Sequence, residues 1–519
     1  MLQTTELFDS GGILLRYALY LLIPWALSLL IYQLFLHPLR KYPGPFLAKF
    51  TYGYGGFHAI KGRHDVNVFK NFQKYGRVYR EAPNRLLFNS LEAIQDIYSN
   101  PNITKGPAYR HSTAVTNMFN VRENAEHRRK RKVAGQVVSE RALRSFSPVL
   151  KKEVDIFLRQ VLKADTVNMT LACNRLTVDI MAHLAFGADL KSQTEETNRF
   201  MPESLCGGLH MNNLYYTWPA VAKLTPLFRW LNRKKGALFK QKVSSMIVER
   251  VALPPDSKQD FYGVVTGKGG LGDGELWGEA FLFVLAGGTT VATAICGSLF
   301  HLSCHRDVYT RLATEIRGTF SSSDEIEAGP KLASCTYLRA VTNESLRLST
   351  PAPSPLWREL EVHQGPFVVD GHVIPPGTEV GVHLWAIMHN PEYFEDPFAF
   401  VPERWLSVDG KADDAQEKRE AQAKMRRAHV AFGLGDRGCA GKNMAYLEMS
   451  LVIAKIFWYF DFERASGDAG KLGCGEGGKD PWDAVDQFQV YGVLGADHDG
   501  PNLVFKPRGE YWKELVTES

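Results

Sequence analysis

The stretch FGLGDRGCAG at residues 432–441 constrains this chain more than any other ten residues. Gly433, Gly435 and Gly438 spell G-x-G-x-x-G, the spacing of a dinucleotide-binding loop whose glycines let backbone N–H groups close on a pyrophosphate. Asp461, in FWYFDFE, stands roughly where such a fold wants an acid for the ribose. The same stretch sets a lone cysteine, Cys439, between Arg437 and Gly441, ahead of the apolar run AGKNMAYLEMSLVIAKIFWYF. A dinucleotide loop needs a parallel strand feeding its first glycine, and KMRRAHVAF offers only Val430, Ala431 and Phe432. Only residues 442–519 remain to build the rest of a sheet, and the chain lacks the strand–helix alternation of a doubly wound fold.

At 519 residues the chain exceeds one ordinary core. A net charge of +5 is too mild to imply a nucleic-acid partner, so none is expected. The seven cysteines are odd in number and contain no C-x-x-C pair, which argues against a disulfide framework or a cysteine zinc site and for a reducing compartment. Most such cysteines are small buried apolar residues. Cys439 needs a reason of its own.

From Tyr17 to Leu36, YALYLLIPWALSLLIYQLFL runs twenty residues without a charge, long enough to cross a bilayer as a helix. Pro24 is tolerable in such a span, and no small-residue cleavage site follows it. Arg40 and Lys41 follow the span and Glu6 and Asp9 precede it, which puts the C-terminal body in the cytosol, although Arg16 opposes that orientation. Pro38, Pro43, Gly44 and Pro45 make a stiff connector. The expected organisation is an anchor at 1–36, a Pro-rich connector at 37–45 and one body at 46–519.

The body reads as mainly α with small β-sheets. Residues 276–304 are a nearly all-round apolar run with one charge, Glu279. Gly287, Gly288, Thr289, Thr290 and Thr293 interrupt it and its flanks show no charge asymmetry, so a buried core helix is expected rather than a second span. Residues 366–383 alternate like strands around D-G and P-P-G turns, 407–428 read as a charged solvated segment, and 466–480 as a Gly-rich loop.

A thiolate reading of FGLGDRGCAG uses every part of the turn. A cysteine bound to haem iron needs backbone donors at its sulfur and freedom from bulk, which a glycine-rich turn at a helix N-terminus supplies. Gly435 and Gly441 would let backbone approach a porphyrin, Arg437 would neutralise a propionate, and Phe432 would shield the sulfur. Phe432, Gly435, Arg437, Cys439 and Gly441 resemble the F-x-x-G-x-R-x-C-x-G haem signature of the cytochrome P450 family. Five fixed residues would recur by chance in a chain this long with a probability on the order of one in ten thousand.

Further blocks follow in that family's order. Glu344 and Arg347 in NESLRL resemble its E-x-x-R pair, and Arg404 in FVPERW resembles the third member of its E-R-R triad. His127 and Arg131 in EHRRKRK resemble the W-x-x-x-R propionate helix with histidine in the tryptophan position, and Arg358 in PLWRE a further propionate arginine. For Arg128, Arg129, Lys130 and Lys132 a solvated face or a patch for an acidic partner is expected. LAGGTTVAT at 285–293 resembles A-G-x-D/E-T-T, where a helix is locally opened to admit dioxygen; Gly287 and Gly288 suit that opening and Thr290 falls at the proton-relaying threonine. The acidic position is Thr289, whose hydroxyl can hold water but cannot give a carboxylic proton.

The resemblance implies a cytochrome P450 fold behind a single N-terminal transmembrane helix. It implies haem b with Cys439 as axial thiolate and metal ligand, electrons from an NADPH-cytochrome P450 reductase, and a place in the endoplasmic reticulum membrane with the catalytic domain facing the cytosol. LFLHPLRKYPGP looks like the anchor junction of filamentous fungal microsomal members, which often serve secondary metabolism. The implied reaction is hydroxylation or epoxidation of a hydrophobic small molecule beside Phe283, Ala286, Ala352, Pro353, Leu356 and segments 108–120 and 205–217. Thr289 leaves room for oxidative ring formation, coupling or desaturation. A haem-binding membrane protein without catalysis fits Thr290 less well.

Overall fold

The computed structural model describes residues 20–517 apart from 112–115, 232, 255–256, 259, 266–270, 272, 361–366, 408–412 and 493. Glu6, Asp9, Arg16 and Tyr17, on which the expected orientation of the anchor rests, lie outside the described residues.

Helices dominate. Those that build the site are α1 (Asn124–Val137), α2 (Glu140–Leu162), α3 (Met169–Phe186), α4 (Phe200–Thr217), α5 (Asp273–Cys304), α6 (Thr336–Leu348) and α7 (Lys442–Tyr459). Local chemistry sets several of their ends. The Ser139 hydroxyl caps α2 by accepting from the Ala142 amide at 3.3 Å, and the Asn168 side chain caps α3 by accepting from Leu171 at 3.1 Å. Gly187 closes α3 in the left-handed conformation, φ +59°.

Helix α5 is the core helix expected from its apolar run: Ala292, Ile295, Cys296, Leu299 and Phe300 are completely buried. It lies directly on α3. A Cβ on Gly287 would fall 2.4 Å from the Met181 sulfur, and one on Gly288 3.1 Å from Val178, so both glycines let the two helices approach. The Thr177 hydroxyl of α3 donates to the Gly288 carbonyl at 2.7 Å and fixes their register.

A five-stranded sheet flanks the helices. Its strands are β1 (Val78–Ala82), β2 (Arg85–Phe88), β3 (Ile103–Lys105), β4 (Arg358–Leu360) and β5 (Glu379–Val382), in the order β1-β2-β5-β4-β3. Only β2 and β5 pair in parallel, Arg85 opposite Glu379. The strands expected within 366–383 are present as Phe367–Val369, His372–Ile374 and β5. The segment at 407–428 is more ordered than its charge suggested: Asp413–Ala428 is a helix that buries Met425 and Ala428.

FGLGDRGCAG joins that helix to α7 with no strand before it, which removes the dinucleotide arrangement. Phe460–Arg464 pairs antiparallel with Asn502–Pro507, and Asp461 is a structural acid, held by Arg317 at 2.8 Å and by the Tyr309 hydroxyl at 3.1 Å.

At the N-terminal end Tyr20–Leu36 is helical through Pro24, with Tyr20, Leu21, Trp25 and Phe35 exposed. The connector is no free spacer. Leu39 and Tyr42 are buried, Arg80 takes the Pro43 carbonyl through its amide at 2.7 Å, and its guanidinium reaches the Gln33 side chain at 2.5 Å. The end of the helix is thereby fastened to β1.

Candidate active site

The cysteine turn is built by two left-handed glycines, Gly433 and Gly435, with φ of +64° and +66°. The Cys439 amide donates to the Phe432 carbonyl at 2.8 Å and closes the loop over a short 3₁₀ segment, Gly435–Arg437. Arg131 on α1 donates to the Gly438 carbonyl at 2.7 Å, fixing the residue just before the cysteine. The Gly435 constraint is not the one anticipated: a Cβ there would strike the Tyr98 carbonyl at 2.0 Å, so this glycine serves contact between backbones. Gly441, the N-cap residue just before α7, has open space where a Cβ would stand.

Cys439 is the one exposed cysteine among the seven. Burial nonetheless pushes its thiol up, opposed by the Gly441 amide at the sulfur and by the charges of Arg131 and Lys442. Exposure together with desolvation describes a sulfur facing an internal cleft rather than bulk water. Phe432 packs edge-tilted on Tyr446 at 5.1 Å between ring centres, and Leu356 lies 3.2 Å from where a Gly433 Cβ would be, which brings one expected pocket residue against the turn.

Beside the turn, cations converge. His127 and Lys105 are buried, and Arg131, Arg358 and Arg437 face the same region without an ion-pairing carboxylate among the described residues. A cavity of about 220 Å³ lined by His127, Arg358 and Arg437 opens there. Each member destabilises the others. Burial and then Arg437, Lys105, Arg131 and Arg358 push His127 down to about 3. Burial and then Arg358, Arg437 and Arg131 push Lys105 well below an ordinary lysine, and burial followed by Arg358 brings Arg437 down to about 10. Such a shell calls for anions to balance it. Two propionates next to an accessible cysteine satisfy that demand, so the residues present fit a haem.

Behind the turn, Glu344 and Arg347 of α6 are completely buried. Arg347 donates to Glu344 through Nε at 3.0 Å and Nη2 at 2.8 Å, and Arg404 Nε donates to it at 3.0 Å. The Val401 amide at 3.1 Å and the Trp405 indole at 2.9 Å complete the set around one carboxylate. Arg347 also reaches the carbonyls of Met388, Pro397 and Ala399. The triad thus ties α6 to the chain on either side of Phe400.

In α5 the expected local opening is not seen; the helix continues unbroken through 285–293. Both threonines bond back into it: Thr289 Oγ1 to the Leu285 carbonyl at 3.1 Å, Thr290 Oγ1 to the Ala286 carbonyl at 2.7 Å. They differ in placement. Thr289 is buried, whereas Thr290 and Ala286 share an accessible face one turn apart. Gly287 faces Met181, which gives it a packing role in this geometry.

The basic run of α1 also departs from expectation. Lys130 is buried and pairs with Glu275 at 2.8 Å and Glu279 at 3.2 Å, and Arg129 pairs with Glu126 at 2.7 Å and with Glu275. Only Arg128 and Lys132 stay exposed without a described partner. The helical period explains this: 130 falls on the face turned to α5, where Glu279 awaits a counter-charge.

Turn, cation shell and buried triad together fit a haem-thiolate oxidoreductase. Residues 43–472 match the family model for cytochrome P450, and the chain belongs to that family: it is a monooxygenase whose haem takes a cysteine thiolate as axial ligand. It is 32% identical to the cytochrome P450 monooxygenase apf7 of Gibberella fujikuroi, over 95% of this chain and 98% of that protein. It is 35% identical to the cytochrome P450 monooxygenase poxM of Penicillium oxalicum, over 85% and 88% of the two chains. Its fold is similar to that of retinoic acid bound cyanobacterial CYP120A1, with a TM-score of 0.65 and 22% identity over 85% of this chain and 93% of that one.

Sequence reasoning missed Lys105 and Trp405. Trp405 directly follows the P-E-R block, so its signal was present. Lys105 carries none, because it reaches the shell only through the pairing of β3 with β4, opposite Arg358.

Proposed function

We propose that the chain is a membrane-anchored monooxygenase that hydroxylates or epoxidises a hydrophobic small molecule, with electrons from an NADPH-cytochrome P450 reductase, in the secondary metabolism of a fungus. The observation that carries this reading is the accessible sulfur of Cys439 beside a shell of cations that make no ion pair among the described residues. When bound there, haem supplies the activation of dioxygen. Lys105, Arg131, Arg358 and Arg437 would hold its two carboxylates. The Gly441 amide tempers the sulfur, and Glu344 with Arg347 and Arg404 keeps the supporting loop in place.

On the other side, Thr290 would hold and pass the proton. Its hydroxyl donates to Ala286 at 2.7 Å, and exchanging that acceptor for another frees the same proton without disturbing the helix ladder. Thr289 is spent on Leu285 and lies buried, so no carboxylic acid stands beside Thr290 on its own turn. An apolar ligand suits a space bordered by Ala286, Leu356 and α4, whose Leu205 approaches Gly288.

The anchoring part of the proposal draws on the exposed apolar helix Tyr20–Leu36 and its clamp to β1. Exposed Phe46, Leu47, Phe57 and Ile60 continue that apolar surface onto the body, which is proposed to begin at residue 46. The test is reconstitution with the reductase in lipid vesicles under heavy-isotope dioxygen, with apolar candidate substrates chosen by difference spectra. One labelled oxygen atom in the product supports insertion. An unlabelled ring-closed or desaturated product would replace it with the dehydrogenating alternative.

A further inference from the structure

Leu356, the apolar residue that stands against the cysteine turn, is the apex of a three-residue turn: the Trp357 amide closes on the Pro355 carbonyl at 3.1 Å. A side chain of α4 grips the same turn. The Tyr216 hydroxyl donates to the Pro355 carbonyl at 2.8 Å and accepts from the Trp357 amide at 3.2 Å, so one oxygen holds the backbone on both sides of Leu356. Tyr216 is buried, and its ring meets Tyr109 edge-on at 5.1 Å between ring centres, which keeps the phenol in place.

Asn213, buried one turn earlier on the same face of α4, grips a second segment. Its Nδ2 donates to the Gly495 carbonyl at 2.9 Å, and its Oδ1 accepts from the amides of Leu494 at 2.7 Å and Gly495 at 3.1 Å. These residues join the paired strands Val490–Gly492 and Ala496–His498. The approach is close: a Cβ on Gly495 would fall 2.9 Å from Leu209 of α4. The next amide, Ala496, donates to the Pro351 carbonyl at 2.8 Å, directly before Ala352 and Pro353. The contacts therefore close a ring, from α4 to 355–357, from α4 to 494–495, and from 496 back to 351.

Arg85 holds the end of α4 independently of that ring. It is buried, pairs with Glu379 at 2.8 Å, and donates to the carbonyls of Tyr216 and Thr217 at 3.3 Å each. Those are carbonyls the helix itself leaves unpaired, so α4 keeps its last turn when a side chain on it is trimmed.

We propose that Tyr216 and Asn213 are positioning residues that fix the wall formed by residues 351–357 beside the haem site, and with it the shape of apolar ligand the enzyme accepts. The proposal rests on the apolar-ligand reading above. Both side chains act through backbone groups, setting where Ala352, Pro353 and Leu356 stand without supplying chemistry.

The test is optical titration of the haem-loaded enzyme with two iron-binding probes that differ in bulk: imidazole, and clotrimazole, in which the same ring carries three aryl groups. Imidazole needs only the haem, whereas clotrimazole also needs the wall. Tyr216→Phe should weaken clotrimazole about fivefold, the worth of one net hydrogen bond, and leave imidazole unchanged. Asn213→Ala should do the same, and the imidazole arm reports that the haem site of each variant is intact. Clotrimazole binding the unaltered chain no tighter than imidazole overturns the apolar-ligand reading and this proposal with it. Tight clotrimazole binding that either variant leaves unchanged, or an equal loss for both probes, overturns this proposal alone.

Discussion

Replacing Glu344 by glutamine tests the triad with little change of shape. The carboxylate receives Arg347 twice, at 2.8 and 3.0 Å, Arg404 at 3.0 Å, the Val401 amide at 3.1 Å and the Trp405 indole at 2.9 Å. A glutamine keeps one oxygen and turns an N–H₂ group toward donors. It also leaves Arg347, completely buried, without its counter-charge. Removing one partner of a buried pair costs about 3–5 kcal/mol, and the lost hydrogen bonds are part of that figure. Against a typical total of about 5–15 kcal/mol this is a large fraction.

The assay is urea unfolding of the holoenzyme followed by tryptophan fluorescence and by the Soret band, with the midpoint compared between forms. The pH dependence supplies a second reading. Burial pushes the Glu344 carboxyl up, but Arg347 and then Arg404 pull it further, leaving it below the ordinary 4.5. A carboxyl whose folded value is depressed contributes fully above its unfolded value and loses that contribution as pH falls through the folded one. The gap between native and variant should therefore narrow on acidification below about 4.5. A loss under about 1 kcal/mol at neutral pH would show that Glu344 is worth no more than a member of an exposed pair and does not hold Arg347 in place.

Lys105→Met should lower haem retention on dialysis while leaving the triad-dependent stability of the apoprotein intact; unchanged retention would remove Lys105 from the shell. Thr290→Ala should consume NADPH largely uncoupled from product, and fully coupled turnover would exclude its hydroxyl from proton delivery. Deleting residues 1–36 should release most of the chain from sedimenting vesicles; retention equal to the full chain would assign membrane binding to the exposed apolar residues of the body.

Local chemistry explains what could be read from the sequence. The turn around Cys439 was legible because glycine spacing, an arginine and a lone cysteine are all set within ten residues. Helix α5 was legible because its apolar run is long and carries only Glu279. Roles that depend on which surface a residue meets were not. Lys130 looked solvated beside its basic neighbours, yet one turn geometry places it on Glu279. Gly287 and Gly435 look alike as small residues, but their partners, the Met181 side chain and the Tyr98 carbonyl, come from distant segments. The connector at 37–45 showed its stiffness and hid its docking, because Arg80 lies on another element.

Whether Cys439 is the axial thiolate is read from the carbon-monoxide difference spectrum of the reduced protein. A thiolate ligand gives a strongly red-shifted Soret band that disappears in Cys439→Ser. A protein purified without haem after supplementation, or the same band in the variant, would contradict it.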